Sequence, residues 1–333
     1  MDPSPFETIP SNEAACIADL AQRLQSKIQN EYPTGSMHRD THPKMYGLVK
    51  AEFTVLDDIP PELAIGLFSQ PKTYQAWIRF SNQDSSSKPD GSPDIRGMAI
   101  KLMGVAGEKL IDAQCGSHDF ILINPPMFIA KDVQEFNDFL KVLMGSLWQK
   151  IFFFLSHWRL TWNLLRSLKR IANPLQINYH STTPYLLGAG QAVKYAAHPR
   201  NFIADTIPSP APANFLRDAM KTQISQDDAY FDFCIQRRTD ENTMSIENST
   251  IAWSEEDAPF QKVAQIRIFQ QEFDTKAQDQ FGENLSFTPW HCLAEHRPLG
   301  GINRARKVVY EKISQFRHAC NQVVRKEPTS WEI

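Results

Sequence analysis

His42 stands in the run Arg39-Asp40-Thr41-His42-Pro43-Lys44, just ahead of a β-type segment, where a ring nitrogen facing a cavity would serve as an acid or a base. Taken alone, a loop histidine is as readily a surface or structural group. Toward the C-terminus, residues 302–323 have the periodicity of an amphipathic helix. Arg306, Tyr310 and Arg317 fall on it at i, i+4 and i+11, close to three turns, and so share one face. Two guanidinium groups beside a phenol favour its anionic form, and a phenolate is a hard oxygen ligand suited to ferric iron. The same triplet also fits a solvated helix face with an incidental tyrosine. His291 and His296 suggest a metal by residue type. No third and fourth ligand with suitable spacing accompanies them, so loop packing is the expected role. Cys16, Cys115, Cys234, Cys292 and Cys320 are odd in number and never in CxxC spacing, which speaks against a disulfide framework and a structural zinc.

These groups need a scaffold, and the chain supplies short alternating runs between Gly, Pro, Asp and Ser clusters. Strands are predicted over 48–55, 76–81, 98–102 and 119–123, and again over 191–195, 230–235 and 263–268, with helical material between the two groups. The fold class expected is α+β, helices around an antiparallel β-barrel, in one domain over 1–333. Residues 12–30 read as a helix within an N-terminal arm, 1–37, that would suit an oligomer contact. A Ser85-Ser86-Ser87 tract and a proline-rich linker over 208–212 are the low-complexity features.

A helical insertion spans 140–172, and its stretch from Val142 to Arg170 is the most apolar and aromatic part of the chain. Gln149, Lys150, His157, Arg159 and Arg166 interrupt it within the ~20 apolar residues a transmembrane span requires. A helix pair packed on the barrel is the plain reading. The sharper one is an interfacial segment over 147–168, a peripheral membrane contact suited to lipid hydroperoxides. At 333 residues and 38.0 kDa the chain can enclose a cofactor, and a formal net charge of -3 excludes a global basic field for nucleic acid. The N-terminus shows neither a basic n-region nor an apolar h-region, so a cytoplasmic or membrane-peripheral location is the expectation.

Taken in order, the segments resemble the catalases. The distal signature of that family, an Arg shortly before the distal His and then a basic residue, a Gly and a strand, is similar to Arg39 to Lys44 with Gly47 and Ala51-Glu52-Phe53-Thr54. Its strand signature is similar to Arg79-Phe80-Ser81 and Asp94-Ile95-Arg96-Gly97-Met98-Ala99-Ile100-Lys101. The segment supplying the distal asparagine resembles Asp119 to Phe128, with Asn124 inside it and Lys131-Asp132 and Phe136 beyond, and the proximal pattern is met by Arg306, Tyr310 and Arg317. Pro289 to Gly300 resembles the small-subunit branch of the superfamily.

The resemblance implies a catalase-type barrel with haem b held between the barrel and the C-terminal helix, and Tyr310 as the ligand to its iron. It further implies His42 and Asn124 on the distal side, with His42 oriented by the Ser81 hydroxyl. Arg39, Arg79 and Arg317 would meet the propionates, Phe136 would pack on the haem face and Arg306 would support the tyrosinate. Two departures stand out. Thr41 replaces the valine that precedes the distal His in catalases, as in the coral allene oxide synthases, and its hydroxyl is expected to engage the His42 ring. Ser314 lies four residues after Tyr310, where the family has Thr or Ala three after. The activity expected is peroxide metabolism, ranked as a peroxidase of organic or fatty-acid hydroperoxides with some action on hydrogen peroxide. Alternatives are an efficient catalase, an allene oxide synthase or hydroperoxide lyase, and a haem-binding sensor without turnover.

Overall fold

The computed structural model describes residues 4–86, 88–112, 115–201, 203 and 205–333, so residues 1–3 of the N-terminal arm and Ser87 of the serine tract lie outside the described residues. Among the described residues nine strands form: β1 Met45–Val55, β2 Thr73–Asn82, β3 Arg96–Leu102, β4 His118–Ile123, β5 Tyr179–His180, β6 Tyr185–Leu187, β7 Gln191–Pro199, β8 Ala229–Arg237 and β9 Gln261–Ile268. All neighbours pair antiparallel, in the order β5-β4-β3-β2-β1-β9-β8-β7-β6. β5 also pairs with β7, Tyr179 opposite Ala197 and His180 opposite Ala196, which closes eight strands into a barrel and leaves β6 as a flap on β7. Closure removes the exposed sheet edges that would otherwise seek a partner.

The period-two alternation of the strands decides what faces where. In β2 to β4, Ile78, Phe80, Ile100, Phe120 and Leu122 point into the barrel and join Phe53, Phe231 and Phe233 in its core. The residues of opposite parity, Arg79 and Ser81, Gly97 and Ala99, Ile121 and Ile123, line a cavity on the outer side of the barrel.

That cavity is roofed by helices α1 Glu13–Glu31, α2 Val133–Leu143 and α7 Gly301–Asn321; α3 Leu147–Ser156, α4 Trp158–Ser167, α5 Phe215–Gln226 and α6 Lys276–Asn284 complete the set. The predicted C-terminal helix forms close to its expected bounds, with its last turn closed by Gln322 in the left-handed region. Its start is fixed by contacts distant in sequence. Arg304 pairs with Glu7, Glu13 and Glu247, drawn from the arm, α1 and a loop; burial opposes its charge, but Glu13 and Glu247 hold its pKa above the ordinary value. Gly300, at φ 85°, is required there, because a Cβ would lie 2.5 Å from the Ile246 carbonyl oxygen. The apolar stripe of α1, which includes Ile17, Leu20 and Leu24, packs within the same chain against Ile302, Ala305 and Val309 of α7. The apolar stripe of α1 is thus covered within the chain.

Candidate functional site

One face of α7 supplies Ile302, Ala305, Arg306, Val309, Tyr310, Ile313, Ser314 and Arg317 to the cavity, a spacing of three and four residues throughout. The barrel wall faces it with Arg79, Ser81, Gly97 and Ile123, and the loop before β1 adds Arg39, Thr41 and His42. Phe136 on α2 lines the same space and meets Phe128 edge to face at 5.2 Å. The empty volume is about 1500 Å³ including its open mouth, mostly between apolar walls.

His42 is held by three devices. Its backbone sits at φ 63°, its Nδ1 lies 3.0 Å from the Ser81 hydroxyl, and an Arg79 Nη donates to its carbonyl at 2.9 Å. The ring lies against Gly97, where a Cβ would come within 2.7 Å of Cε1 and Nδ1. Burial, then the nearby charge of Arg79, pushes the imidazole down to about 3, so it is neutral near pH 7, and its Nε2 makes no hydrogen bond among the described residues. The loop that carries His42 is tied to the helices: Lys27 of α1 pairs with Asp40 at 2.6 Å, and the Met37 backbone exchanges hydrogen bonds with the Asn321 side chain at 2.8 and 2.9 Å.

Arg39, Arg79 and Arg317 converge beside the cavity. Arg39 and Arg317 both pair with Glu283 of α6, at 3.1 and 3.3 Å, and Glu283 is held at about 2 by these arginines against the cost of its burial. Glu283 is the single carboxylate balancing the three guanidinium groups among the described residues, which leaves two positive charges in excess. Burial depresses the pKa of Arg79, and the like charges of Arg39 and Arg317 depress it further; its Nε is buried without a partner. Such a cluster fits an anionic group with two carboxylates. The Tyr310 hydroxyl, half-buried, has no hydrogen bond among the described residues, so its oxygen is available as a ligand. Two carboxylate positions, an apolar slot and a phenol oxygen together match the donor set that a haem requires.

The structure therefore brings together Arg39, Thr41, His42, Ser81, Arg79, Phe136, Arg306, Tyr310 and Arg317 around one cavity. It does not bring Asn124. That residue follows β4 with the parity opposite to Ile123, is absent from the cavity wall, and spends its side-chain oxygen on the Arg96 amide at 2.7 Å. Ile123 takes the cavity position. Thr41 lines the cavity, but the hydrogen bond to the His42 ring comes from Ser81 and not from Thr41. Arg306 directs its hydrogen bonds to Thr183 and Asn303, at 3.0 and 3.2 Å, and not to Tyr310. Ser314, the departure on α7, bonds to Ser286 at 2.6 Å. Glu283 and Gly97 escaped the sequence reading as site residues; Gly97 lies inside a quoted motif, whereas nothing local marks Glu283.

His296 bonds to the Leu67 amide and lies 3.1 Å from the Tyr195 hydroxyl, a structural role. His291 has Cys115 and Glu327 within ligand reach, a grouping the spacing does not reveal. The position is already occupied by Arg325, whose Nη lies 2.8 Å from His291 Nε2 and 2.9 Å from Glu327, so packing explains this histidine too.

Comparison with known proteins agrees with this geometry. Residues 23–153 match the catalase family model. A fungal catalase superposes with a TM-score of 0.70 at 17% identity, covering 92% of this chain and 65% of that one. Catalase A from Saccharomyces cerevisiae gives 0.70 at 18%, covering 99% and 70%, and a bacterial catalase gives 0.68 at 16%, covering 100% and 66%. No curated protein matches. The fold is that of the catalases, and the chain spans about two thirds of the length of these relatives. The family match is confined to residues 23–153, and the likeness over the whole chain is one of fold.

Proposed function

We propose that this chain is a haem-dependent oxidoreductase that metabolises peroxides, with organic and fatty-acid hydroperoxides favoured over hydrogen peroxide. The observation that carries the reading is the partly buried cluster of Arg39, Arg79 and Arg317 around one Glu283, set beside a cavity that also holds the Tyr310 oxygen, unbonded among the described residues. Tyr310 would ligate the iron of haem b and the three arginines would hold its carboxylates. When bound, the haem would supply the redox chemistry that breaks an O–O bond.

The chain's own residues prepare that step. The neutral His42 Nε2 accepts the hydroperoxide proton and returns it to the departing oxygen, while Ser81 and Gly97 fix the ring plane. With Ile123 in place of a polar group, the distal wall offers little to orient a small polar peroxide and more apolar surface for an alkyl chain. This favours an organic hydroperoxide over an efficient catalase. The five cysteines are free thiols, which supports a reducing compartment such as the cytoplasm.

Stopped-flow turnover of a fatty-acid hydroperoxide and of hydrogen peroxide by the haem-loaded protein tests the proposal. A higher kcat/KM for the lipid substrate is expected, and product analysis separates reduction to an alcohol from rearrangement to an allene oxide or cleavage. A higher value for hydrogen peroxide would make the protein a catalase, and no turnover of either would make it a haem carrier or sensor.

A further inference from the structure

The α3–α4 hairpin does not pack its aromatic residues on the barrel. Phe153 and Leu160 turn inward, while Trp148 is 78% exposed, Phe152 76%, Trp158 64% and Trp162 57%, with Leu155 and Leu165 beside them. On α4, Trp158, Trp162 and Leu165 repeat at four and three residues and form one outward stripe; Arg159 and Arg166 run alongside it, the Arg159 guanidinium 5.4 Å from the Trp158 ring. Exposed apolar surface of this extent on one small element marks an interaction site.

Charge identifies the partner. From residue 139 to 204 the sequence contains no Asp or Glu, and among the described residues Lys150, Arg159 and Arg166 form no ion pair. Two copies meeting through this face would set these cations against each other without a counter-charge. An apolar plane carrying anionic head groups satisfies both parts of the surface, because the aromatic rings enter the acyl boundary while the arginines stay at phosphate level. Among the described residues no helix is long and apolar enough to cross a bilayer, so the hairpin would lie along it.

We propose that the α3–α4 hairpin docks this protein on the surface of an anionic lipid bilayer. The buried side of the hairpin leads toward the cavity: Phe153 meets Phe139 at 6.4 Å, Phe139 meets Phe136 at 6.5 Å, and Phe136 lines the cavity itself. Delivery of lipid hydroperoxides by this route rests on the function proposed above, whereas the docking does not.

Flotation of the haem-loaded protein with vesicles separates the two. Vesicles of phosphatidylcholine containing about 30 mol% phosphatidylserine should carry the protein in low salt, those of phosphatidylcholine alone should carry far less, and rising salt should release it. Trp158→Glu with Trp162→Glu should abolish flotation. Arg159→Glu with Arg166→Glu should weaken it about thirtyfold or more, since each lost cation is worth about fivefold at an anionic surface. These side chains are exposed, so haem content and hydrogen peroxide turnover should stay unchanged in both variants. Absence of flotation with either vesicle, flotation indifferent to both double variants, or a dimer broken by the tryptophan variants without vesicle binding would each overturn the proposal. Vesicle binding with no hydroperoxide turnover would refute the function and leave the docking intact.

Discussion

Gly97→Ala probes how closely the distal side is built. The added methyl would stand 2.7 Å from His42 Cε1 and Nδ1 and 3.0 Å from the Ser81 oxygen, so the ring must retreat by about 0.7 Å to reach ordinary contact at 3.4 Å. That movement breaks the 3.0 Å bond to Ser81 and carries Nε2 away from the substrate proton. Misplacement on the order of 1 Å costs about 100-fold in rate, so kcat/KM should fall roughly 10- to 100-fold, equivalent to about 1.4–2.7 kcal/mol. Ser81→Ala keeps the ring's seat and removes one hydrogen bond, about 0.5–1.5 kcal/mol, so its loss should be smaller. The assay is hydroperoxide consumption at matched haem content, with urea unfolding alongside, since crowding a strand costs about 1–3 kcal/mol by itself. Undiminished turnover in Gly97→Ala, or a larger loss in Ser81→Ala, would show that ring position does not limit the reaction.

Glu283→Gln leaves three guanidinium groups without a counter-charge, so the haem-free protein should lose about 3–5 kcal/mol of stability and the haem-loaded protein much less; equal losses by urea unfolding would mean that no anion occupies the cluster. Burial pushes His42, His180 and His296 each down to about 3 from the ordinary 6.5. Folding is therefore unaffected by these groups above about pH 6.5 and weakens as pH falls toward about 3, by up to about 1.4 kcal/mol per pH unit for each; denaturation midpoints level from pH 7 to pH 4 would contradict this. Thr41→Val should change hydrogen peroxide turnover by less than about twofold, because Ser81 and not Thr41 holds the His42 ring; a large gain in oxygen release would restore the role expected of this hydroxyl.

Much of this architecture was legible in the chain. The alternation of β1 to β4 and β7 to β9 and the face shared by Arg306, Tyr310 and Arg317 are local, periodic signals, and they led to the right elements. β5 and β6, two and three residues long, carry no period to read, yet β5 closes the barrel. Asn124 was misread because a motif match tolerates a one-residue shift, while a strand does not: parity gives the cavity to Ile123. Glu283 and the Arg304 cluster join residues far apart in sequence, which no spacing announces. The apolar stripe of α1 signalled only that something covers it, and α7 does. For 142–170 the reverse holds. Its hydrophobicity suggested packing on the barrel, whereas the structure buries Phe153 and Leu160 and leaves most of the large side chains exposed.

Haem titration into the purified protein and its Tyr310→Phe variant, followed by absorption and resonance Raman spectroscopy, tests the central claim most directly. The account predicts stoichiometric uptake with a high-spin ferric spectrum and tyrosinate vibrations in the parent protein, and loss of those vibrations with weakened uptake in Tyr310→Phe. No saturable haem binding, or identical uptake and spectra in the two proteins, would contradict it.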